Sequence, residues 1–193
     1  MDLTDKRLEL DRDGYIAIAD LLAEQEVAWY LECYEAIMSG KIEAGQWRSD
    51  LGSGHSQKRE GVENITQVMW PSELIPDLHS SAAYRRALGI TRQWLGDDMA
   101  FDFDMLIDKA AGTDTPTPFH QDMAYWVDLP DRRAVSCWIA LDAATVDNGC
   151  MWFAPGSHRR ALIINFRPEA MIRLEREQGF DHGKTKNVRE NRT

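Results

Sequence analysis

The sequence predicts a mainly β fold with flanking α-helices, and three observations support this prediction. Apolar residues recur every three or four positions in two early segments, which is the period of an amphipathic helix. From residue 99 onward, apolar residues alternate with polar ones, which is the period of a half-buried strand. Short runs separated by turn residues then continue to about residue 154. Helices followed by evenly spaced short strands are typical of an α-helical shoulder on a β-sandwich or barrel.

Two helices are predicted in the N-terminal half. One covers residues 22–38 and ends at Gly40, and the second covers residues 80–95 and ends at Gly96. A glycine just past the last periodic residue is a common helix stop. The short apolar run 15–18 follows a turn and is predicted to be the opening strand. We interpret the remainder of the first 95 residues as connector.

The segment 101–108 is predicted to be one half-buried strand. Its apolar side chains alternate with Asp102, Asp104 and Asp108, which we expect on the wet side of the strand. Three further strands are predicted at residues 119–127, 134–141 and 149–154, and one short helix is predicted at residues 168–178. The end of the chain, 179–193, is polar and charged, and we expect it to be frayed.

The composition restricts the class of protein. A length of 193 residues with 44% hydrophobic content is that of one globular domain. We divide it into a helical shoulder with the first strand (1–98), a β core (99–158), and a short helix with a polar tail (159–193). The net charge of −10 argues against binding to nucleic acid or to an anionic membrane surface. No apolar run is long enough to cross a bilayer.

The cysteine pattern indicates a reducing compartment. Cys33, Cys137 and Cys150 are odd in number and widely spaced, so neither a disulfide framework nor a zinc knuckle is expected. We therefore predict a cytoplasmic protein. In that compartment the glycosylation sequons at Asn64 and Asn191 are chance matches.

His120-Gln121-Asp122 is the sharpest chemical signal in the sequence. Residues two apart on a strand point to the same face, so the imidazole and the carboxylate converge on one point. A nitrogen and an oxygen donor in that arrangement form two corners of the 2-His-1-carboxylate triad that binds non-haem iron. The tripeptide is short, and the alternative interpretation is a surface histidine and aspartate on a sheet edge.

Further motifs surround this tripeptide in a fixed order. They are RDGY (12–15), MLIDK (105–109) before a proline-containing loop, FHQDMAYW (119–126), SCWIALD (136–142), NGCM (148–151) and PGSH (155–158). With these motifs and their spacing, residues 13–158 resemble the phytanoyl-CoA dioxygenase family of iron(II)/2-oxoglutarate oxygenases. The resemblance implies a double-stranded β-helix, a jelly roll of the cupin kind. It also implies hydroxylation of a small-molecule or acyl substrate, with release of succinate and CO₂.

The resemblance implies a cofactor, a co-substrate and the residues that bind them. The cofactor would be Fe(II), the co-substrate 2-oxoglutarate, and ascorbate would serve as reductant. His120 and Asp122 match two iron ligands, and Met105 and Trp138 match positions that form the wall of the 2-oxoglutarate site. Gln67 lies where family members place a polar or basic residue that reaches the co-substrate. Without the resemblance, Met105 and Trp138 could be ordinary core residues, and Gln67 a solvated side chain.

The chain also departs from the family pattern. The family's distal histidine, and the arginine that pairs with 2-oxoglutarate, lie further along than this chain runs. His182 is the only histidine after His158, and it lies in the polar tail. About four predicted strands, against eight in a full jelly roll, would make the fold incomplete and leave sheet edges unpaired. We expect such edges to favour association of copies, and the chain alone to be a poor enzyme.

Two alternatives to catalysis follow from this departure. A non-catalytic member could act as a binding protein, or the chain could work only as part of an assembly. Other signals in the sequence are weaker. Residues 179–185 imitate a phosphate-binding loop and are interpreted as a chance match. The arginine pairs 132–133 and 159–160 could meet an anionic substrate, although paired arginines in turns are usually solvated.

Overall fold

The computed structural model describes residues 3–51, 63–112, 117, 119–120, 129–156 and 165–179. The helices of this part of the chain are α1 (Thr4–Asp13), α2 (Glu24–Met38), α3 (Pro71–Leu74), α4 (Ala82–Leu95) and α5 (Glu169–Glu177). Single 3₁₀ turns cover Gly45–Trp47, Pro76–Ser80 and Val146–Asn148. None of the described helices is long and apolar enough to cross a lipid bilayer.

Helices α2, α4 and α5 confirm the predicted helices at 22–38, 80–95 and 168–178. Gly40 and Gly96, with φ of 78° and 118°, lie just beyond α2 and α4, where an L side chain would be strained. Helix α1 lies in a segment that carries no clear apolar period. It is held by burial of Leu3, which is 4% exposed, and by a hydrogen bond from the Arg7 guanidinium to the carbonyl of Trp94.

Six strands form two small antiparallel sheets in the described residues. One sheet has the order β1-β2-β4 and consists of β1 (Arg48–Asp50), β2 (Ile65–Met69) and β4 (Met105–Lys109). The other has the order β3-β6-β5 and consists of β3 (Met99–Phe103), β6 (Asn165–Pro168) and β5 (Val135–Ser136). The described part is therefore mixed α/β rather than mainly β. The expected jelly roll is not formed by these six strands.

The predicted single strand at 101–108 is two strands that belong to different sheets. The chain leaves the second sheet at Phe103 and enters the first at Met105, with Asp104 between them. The carbonyl oxygen of Asp104 accepts a hydrogen bond of 2.9 Å from the backbone N–H of Trp70. This contact redirects the backbone, because a carbonyl engaged by another loop is not available to a continuous strand ladder.

The prediction that Asp102 and Asp104 lie on a wet face is wrong. Their exposed fractions are 2% and 1%, because each carboxylate meets a partner from a distant part of the chain. Arg167 Nε donates to Asp102 Oδ2 at 2.7 Å, and Ser72 Oγ donates to Asp104 Oδ1 at 3.0 Å. Asp108 is half-buried against α2, where its carboxylate hydrogen bonds to the hydroxyl of Tyr34. Hydrogen bonds and ion pairs offset the free-energy cost of removing a carboxylate from water, and an isolated carboxylate has no such compensation.

Several predicted strands differ from the structure. No strand forms at 15–18 or 149–154, because these two segments pack on each other through side chains instead of through a ladder. The rings of Tyr15 and Phe153 stack with centroids 4.6 Å apart, and Gly156 N–H donates to the carbonyl of Asp13 at 3.0 Å. The strand predicted at 134–141 is reduced to β5, and most of 119–127 lies outside the described residues.

Strands β1, β2 and β6 were not predicted. Strands β1 and β2 lie in the segment interpreted as connector, and β6 lies beyond residue 158, where the alternating pattern stops. Each of these strands has five residues or fewer, too short for a period of two to stand out from the surrounding sequence.

The core lies between the helices and one side of the two sheets. Ile37 of α2 packs against Val68 and Leu106 of the first sheet. Ala87 of α4 packs against Met99 of the second sheet. The segment after β5 joins this layer through Ile139 and Leu141, which pack on the cluster of Tyr30, Leu78 and Ala83. The helical layer thus covers one side of the sheets in the described part of the chain.

Candidate metal and co-substrate site

The sheet β1-β2-β4 has two faces with different surroundings. Val68 and Leu106 point to the face that α2 covers. Because side chains alternate along a strand, Gln67, Met105, Ile107 and their neighbours point to the opposite face. We call this the open face and define it by residues Ser49, Gln67, Met105, Ile107 and Lys109. Its central residues are half-buried and Ser49 and Lys109 are exposed.

Two of the predicted co-substrate residues contact each other on the open face. Gln67 Nε2 lies 3.3 Å from Met105 Sδ, within reach of a weak N–H···S hydrogen bond. The register explains the contact, because Gln67 is opposite Ile107, and Met105 is therefore its diagonal neighbour. Ser49 Oγ approaches Gln67 Oε1 at 3.5 Å from the other side. With its oxygen toward Ser49, the Gln67 amide presents its N–H groups toward Met105.

Trp138 lies on a different segment. On the extended chain after β5, Cys137 packs against the cluster of Ala87 and Met99, and Ile139 packs against that of Tyr30. Trp138 lies between these two inward residues and points to the other side, where 41% of its surface is exposed. It is not among the side chains that build the described core clusters.

The structure places one of the two predicted iron ligands. His120 is half-buried, and Asp122 lies outside the described residues. No group of three His, Cys, Asp or Glu side chains close enough to hold a metal ion occurs in the described ranges. An imidazole nitrogen and a carboxylate oxygen are nevertheless donors that iron(II) accepts, so the chemistry of this pair fits the metal.

The other anion- or metal-binding candidates are engaged elsewhere or lie outside the described residues. Arg133 donates to Asp98 Oδ2 and to Asp131 Oδ2, each at 2.7 Å, and these hydrogen bonds raise its pKa. A guanidinium bound by two carboxylates has little capacity left for a substrate. His182, the loop-like segment 179–185 and the pair 159–160 lie outside the described residues.

A buried polar network next to the open face was not expected from the sequence. Asp104 accepts hydrogen bonds from Ser72 N at 3.2 Å, from Ser72 Oγ at 3.0 Å, and from the hydroxyl of Tyr84. Burial raises the pKa of Asp104, and these hydrogen bonds lower it in part. Burial and the adjacent carboxylate also raise the pKa of Tyr84, so its phenol stays protonated and donates. Met105 follows Asp104 directly, so the network determines where the open-face strand β4 begins.

Comparison with known proteins identifies the relatives of this chain. Residues 10–182 match the model of the phytanoyl-CoA dioxygenase (PhyH) family. The chain is 22% identical to a probable phytanoyl-CoA dioxygenase of Caenorhabditis elegans over 174 residues, which is 86% of this chain and 55% of the relative. It is 28% identical to the dioxygenase lolE1 of Epichloe uncinata over 162 residues, 82% of this chain and 57% of the relative.

A third relative is an ectoine dioxygenase of Streptomyces anulatus. It is 29% identical over 155 residues, which cover 79% of this chain and 50% of the relative. The chain thus spans about half the length of these curated relatives. No solved structure matches the chain at a significant level. Because the family model matches nearly the whole chain, including the positions of His120 and Asp122, the chain belongs to the phytanoyl-CoA dioxygenase family.

Proposed function

We propose that this chain provides the iron- and co-substrate-binding half of an Fe(II)/2-oxoglutarate-dependent dioxygenase that hydroxylates a small-molecule or acyl substrate. The observation that carries the proposal is the His120–Asp122 pair inside a matched PhyH domain. The relatives named above are dioxygenases, and this supports the same reaction class here. A jelly roll completed by further strands is part of the proposal, since the described sheets have three strands each.

The chain's own residues have separate roles in this proposal. His120 and Asp122 would hold the iron, which supplies the oxidising chemistry when bound. The amide of Gln67 donates a hydrogen bond to the co-substrate, and its contact with Met105 keeps the N–H groups on the open face. Met105 and Trp138 provide apolar surface that excludes water from the reacting groups.

The second candidate function is binding without turnover. It is favoured by the exposure of Trp138 at 41%, Trp152 at 64% and Val146 at 68%, since apolar surface of this kind often lies in contact with another polypeptide. In this case the chain would act within an assembly, with a homo-oligomer as the simplest form. The two functions differ in one respect, which is whether a third nitrogen or oxygen ligand joins His120 and Asp122.

Anaerobic titration with Fe(II), or with Mn(II) as a redox-inert probe, tests the metal site. We expect His120→Ala to weaken binding by more than about tenfold, because loss of even an outer-shell partner costs about 10–100-fold. His79→Ala is the matched control, because His79 is an exposed imidazole that contacts the ring of Phe101, with centroids 4.9 Å apart. Equal affinity of the wild type and His120→Ala would refute the metal site.

Succinate formation from 2-oxoglutarate with Fe(II), ascorbate and O₂ then separates the two candidate functions. Iron-dependent succinate that disappears in His120→Ala supports the dioxygenase. Metal and 2-oxoglutarate binding without succinate supports the binding protein, and mass measurement in solution then decides whether copies associate.

A further inference from the structure

Helix α4 has a second face, which the sheets do not cover in the described part of the chain. Its inward face packs on the second sheet through Ala87 and Met99. The second face carries four residues spaced three or four positions apart: Arg86, Gly89, Ile90 and Gln93. Together with Leu3 at the start of α1 and the segment 20–24 that leads into α2, they line a groove of about 720 Å³. A cavity of this size suits a small organic ligand.

The lining of the groove is mainly apolar, and the core holds part of it in place. Leu3 is only 4% exposed, and Leu22 packs against the cluster that contains Tyr30. Ile90 is half-buried on the α4 side. Because these side chains are held by the fold, a hydrocarbon chain that covers them removes apolar surface from water.

Gly89 keeps this groove wide. It lies in the interior of α4, where glycine is less favourable than alanine because of its backbone entropy. Its φ is not positive, and a Cβ atom added to it would meet no described atom within 4 Å. Neither the backbone nor the packing of the described residues therefore requires a glycine here. A larger side chain would project into the groove, so an occupant of the groove accounts for the glycine.

The charged groups of the groove include two carboxylates that lack partners in the described part of the chain. Asp20 and Glu24 are exposed and make no ion pair or side-chain hydrogen bond there. Arg86, the one basic residue among the described lining residues, is already engaged. Its guanidinium donates to the carboxylate of Glu26 at 2.6 and 3.0 Å and to the carbonyl of Leu21 at 2.6 Å. The groove therefore attracts positive charge and repels anions.

We propose that this groove binds a small organic cation, an ammonium group on a short aliphatic chain. The chain lies along α4 beside Gly89, and the ammonium lies near the carboxylates of Asp20 and Glu24. An alkyl carboxylate is disfavoured, because these two carboxylates repel it and Arg86 is bound to Glu26. The inference goes beyond the proposed function, since none of the lining residues belongs to the open face or to the predicted iron ligands.

The direct test follows the isoleucine methyl groups of the ¹³C-labelled 193-residue chain by NMR. The Ile90 signal is identified with Ile90→Val. The probes are hexylammonium, 1-hexanol and hexanoate, which have the same hydrocarbon chain and differ in charge. We expect the Ile90 signal to shift most strongly with hexylammonium, less with 1-hexanol, and not with hexanoate. The signal of Ile172, which is 4% exposed in α5, is the reference and should not shift.

Two substitutions test the carboxylates separately from the apolar lining. Asp20→Asn and Glu24→Gln should each lower the preference for hexylammonium over 1-hexanol by about two- to fivefold, the worth of a solvent-exposed ion pair. Asparagine suits the first position, because Asp20 has a φ of 55° and asparagine tolerates that conformation. Glu43→Gln removes an exposed carboxylate outside the groove and should leave the preference unchanged.

Gly89→Leu tests the space itself. The leucine side chain should fill the groove and weaken binding of hexylammonium and 1-hexanol alike by about tenfold, the worth of roughly two buried methylene groups. Leucine favours a helix more than glycine does, and circular dichroism verifies that the variant is folded. Ala28→Leu adds the same side chain at an exposed position of α2 outside the groove, and it should leave binding unchanged.

The outcomes decide the inference without reference to metal binding. A preference for hexylammonium that the carboxylate substitutions reduce, together with binding that Gly89→Leu weakens, supports it. An Ile90 signal that does not shift, that responds equally to hexylammonium and 1-hexanol, or that is unaffected by Gly89→Leu overturns it. If no probe shifts Ile90 and Gly89→Leu lowers the mass of the protein in solution, a second copy occupies the groove, and the inference is again overturned. Since no step uses Fe(II), failure here leaves the proposed function to its own test.

Discussion

The hydroxyl of Tyr84 is expected to be a major contributor to stability, and Tyr84→Phe tests this. The hydroxyl donates to Asp104, whose carboxylate is 1% exposed and otherwise accepts only from Ser72 in the hydrogen bonds described above. The substitution keeps the ring, which contacts Phe101 with centroids 5.5 Å apart. It therefore removes one hydrogen bond and little apolar packing.

The expected magnitude follows from the kind of hydrogen bond that is lost. A buried bond to a charged group contributes about 1.5–3 kcal/mol to the free energy of unfolding. For a chain of this size, 1 kcal/mol shifts Tm by about 2–4 °C, so Tyr84→Phe should lower Tm by roughly 3–12 °C. Chemical denaturation followed by circular dichroism gives the free energy, and calorimetry gives Tm.

The pH dependence gives a second measurement on the same variant. Burial raises the folded-state pKa of Asp104 above its unfolded value. The stability contributed by this group is therefore complete below the unfolded pKa and declines as pH rises through the folded pKa. Removing the Tyr84 hydroxyl removes a bond that lowers this pKa, so the pKa rises further. The destabilisation by Tyr84→Phe should consequently be larger above the folded pKa than below it.

Tyr15→Phe is the matched control. Tyr15 stacks on Phe153, and its substitution keeps that ring contact. We expect a change within about 0.5 kcal/mol. The reasoning would be refuted if Tyr84→Phe were as stable as Tyr15→Phe, or if its destabilisation grew as pH fell.

Two further predictions concern other buried groups. Arg167→Met should destabilise the protein by about 3–5 kcal/mol in urea denaturation, because Asp102 and Glu175 would lose their shared cation. Arg173→Met is the control and should change the free energy of unfolding little, because the Arg173 and Glu169 side chains of its ion pair are 68% and 72% exposed. Equal effects of the two substitutions on the free energy of unfolding would contradict the expected contribution of the buried ion pairs of Arg167. Burial raises the pKa of Cys137 to about 11, so iodoacetamide should alkylate this thiol far more slowly in the folded protein than in urea, as measured by peptide mass spectrometry. Comparable rates in both conditions would show that the thiol is accessible.

The sequence by itself determined the features that depend on local pattern. Helices α2 and α4 follow from an apolar period of three to four, and each is followed by a glycine with positive φ. The family motifs around His120 likewise depend only on the order and spacing of residues, which is why the resemblance to the family was confirmed by comparison. The alternation at residues 101–108 also indicated strand-forming residues, but these residues belong to two strands in different sheets.

The tertiary structure decided which partners these residues meet. A period of two shows which side chains share a face, but not whether that face is wet. Asp102 and Asp104 are buried because Arg167, 65 positions away, and Ser72, 32 positions away, reach them. A local sequence pattern cannot indicate contacts between residues that are so far apart in the chain.

The same reason applies to the open face. The contact between Gln67 and Met105 depends on the register of β2 and β4, which are separated by helices α3 and α4 and strand β3 in the sequence. The side chain of Lys109 likewise lies against the turn at Gly149, 40 residues further along the chain. The identity and the spacing of residues in a motif can be read from the sequence because they are properties of one segment. Burial and register are properties of pairs of segments, and only folding brings those pairs together.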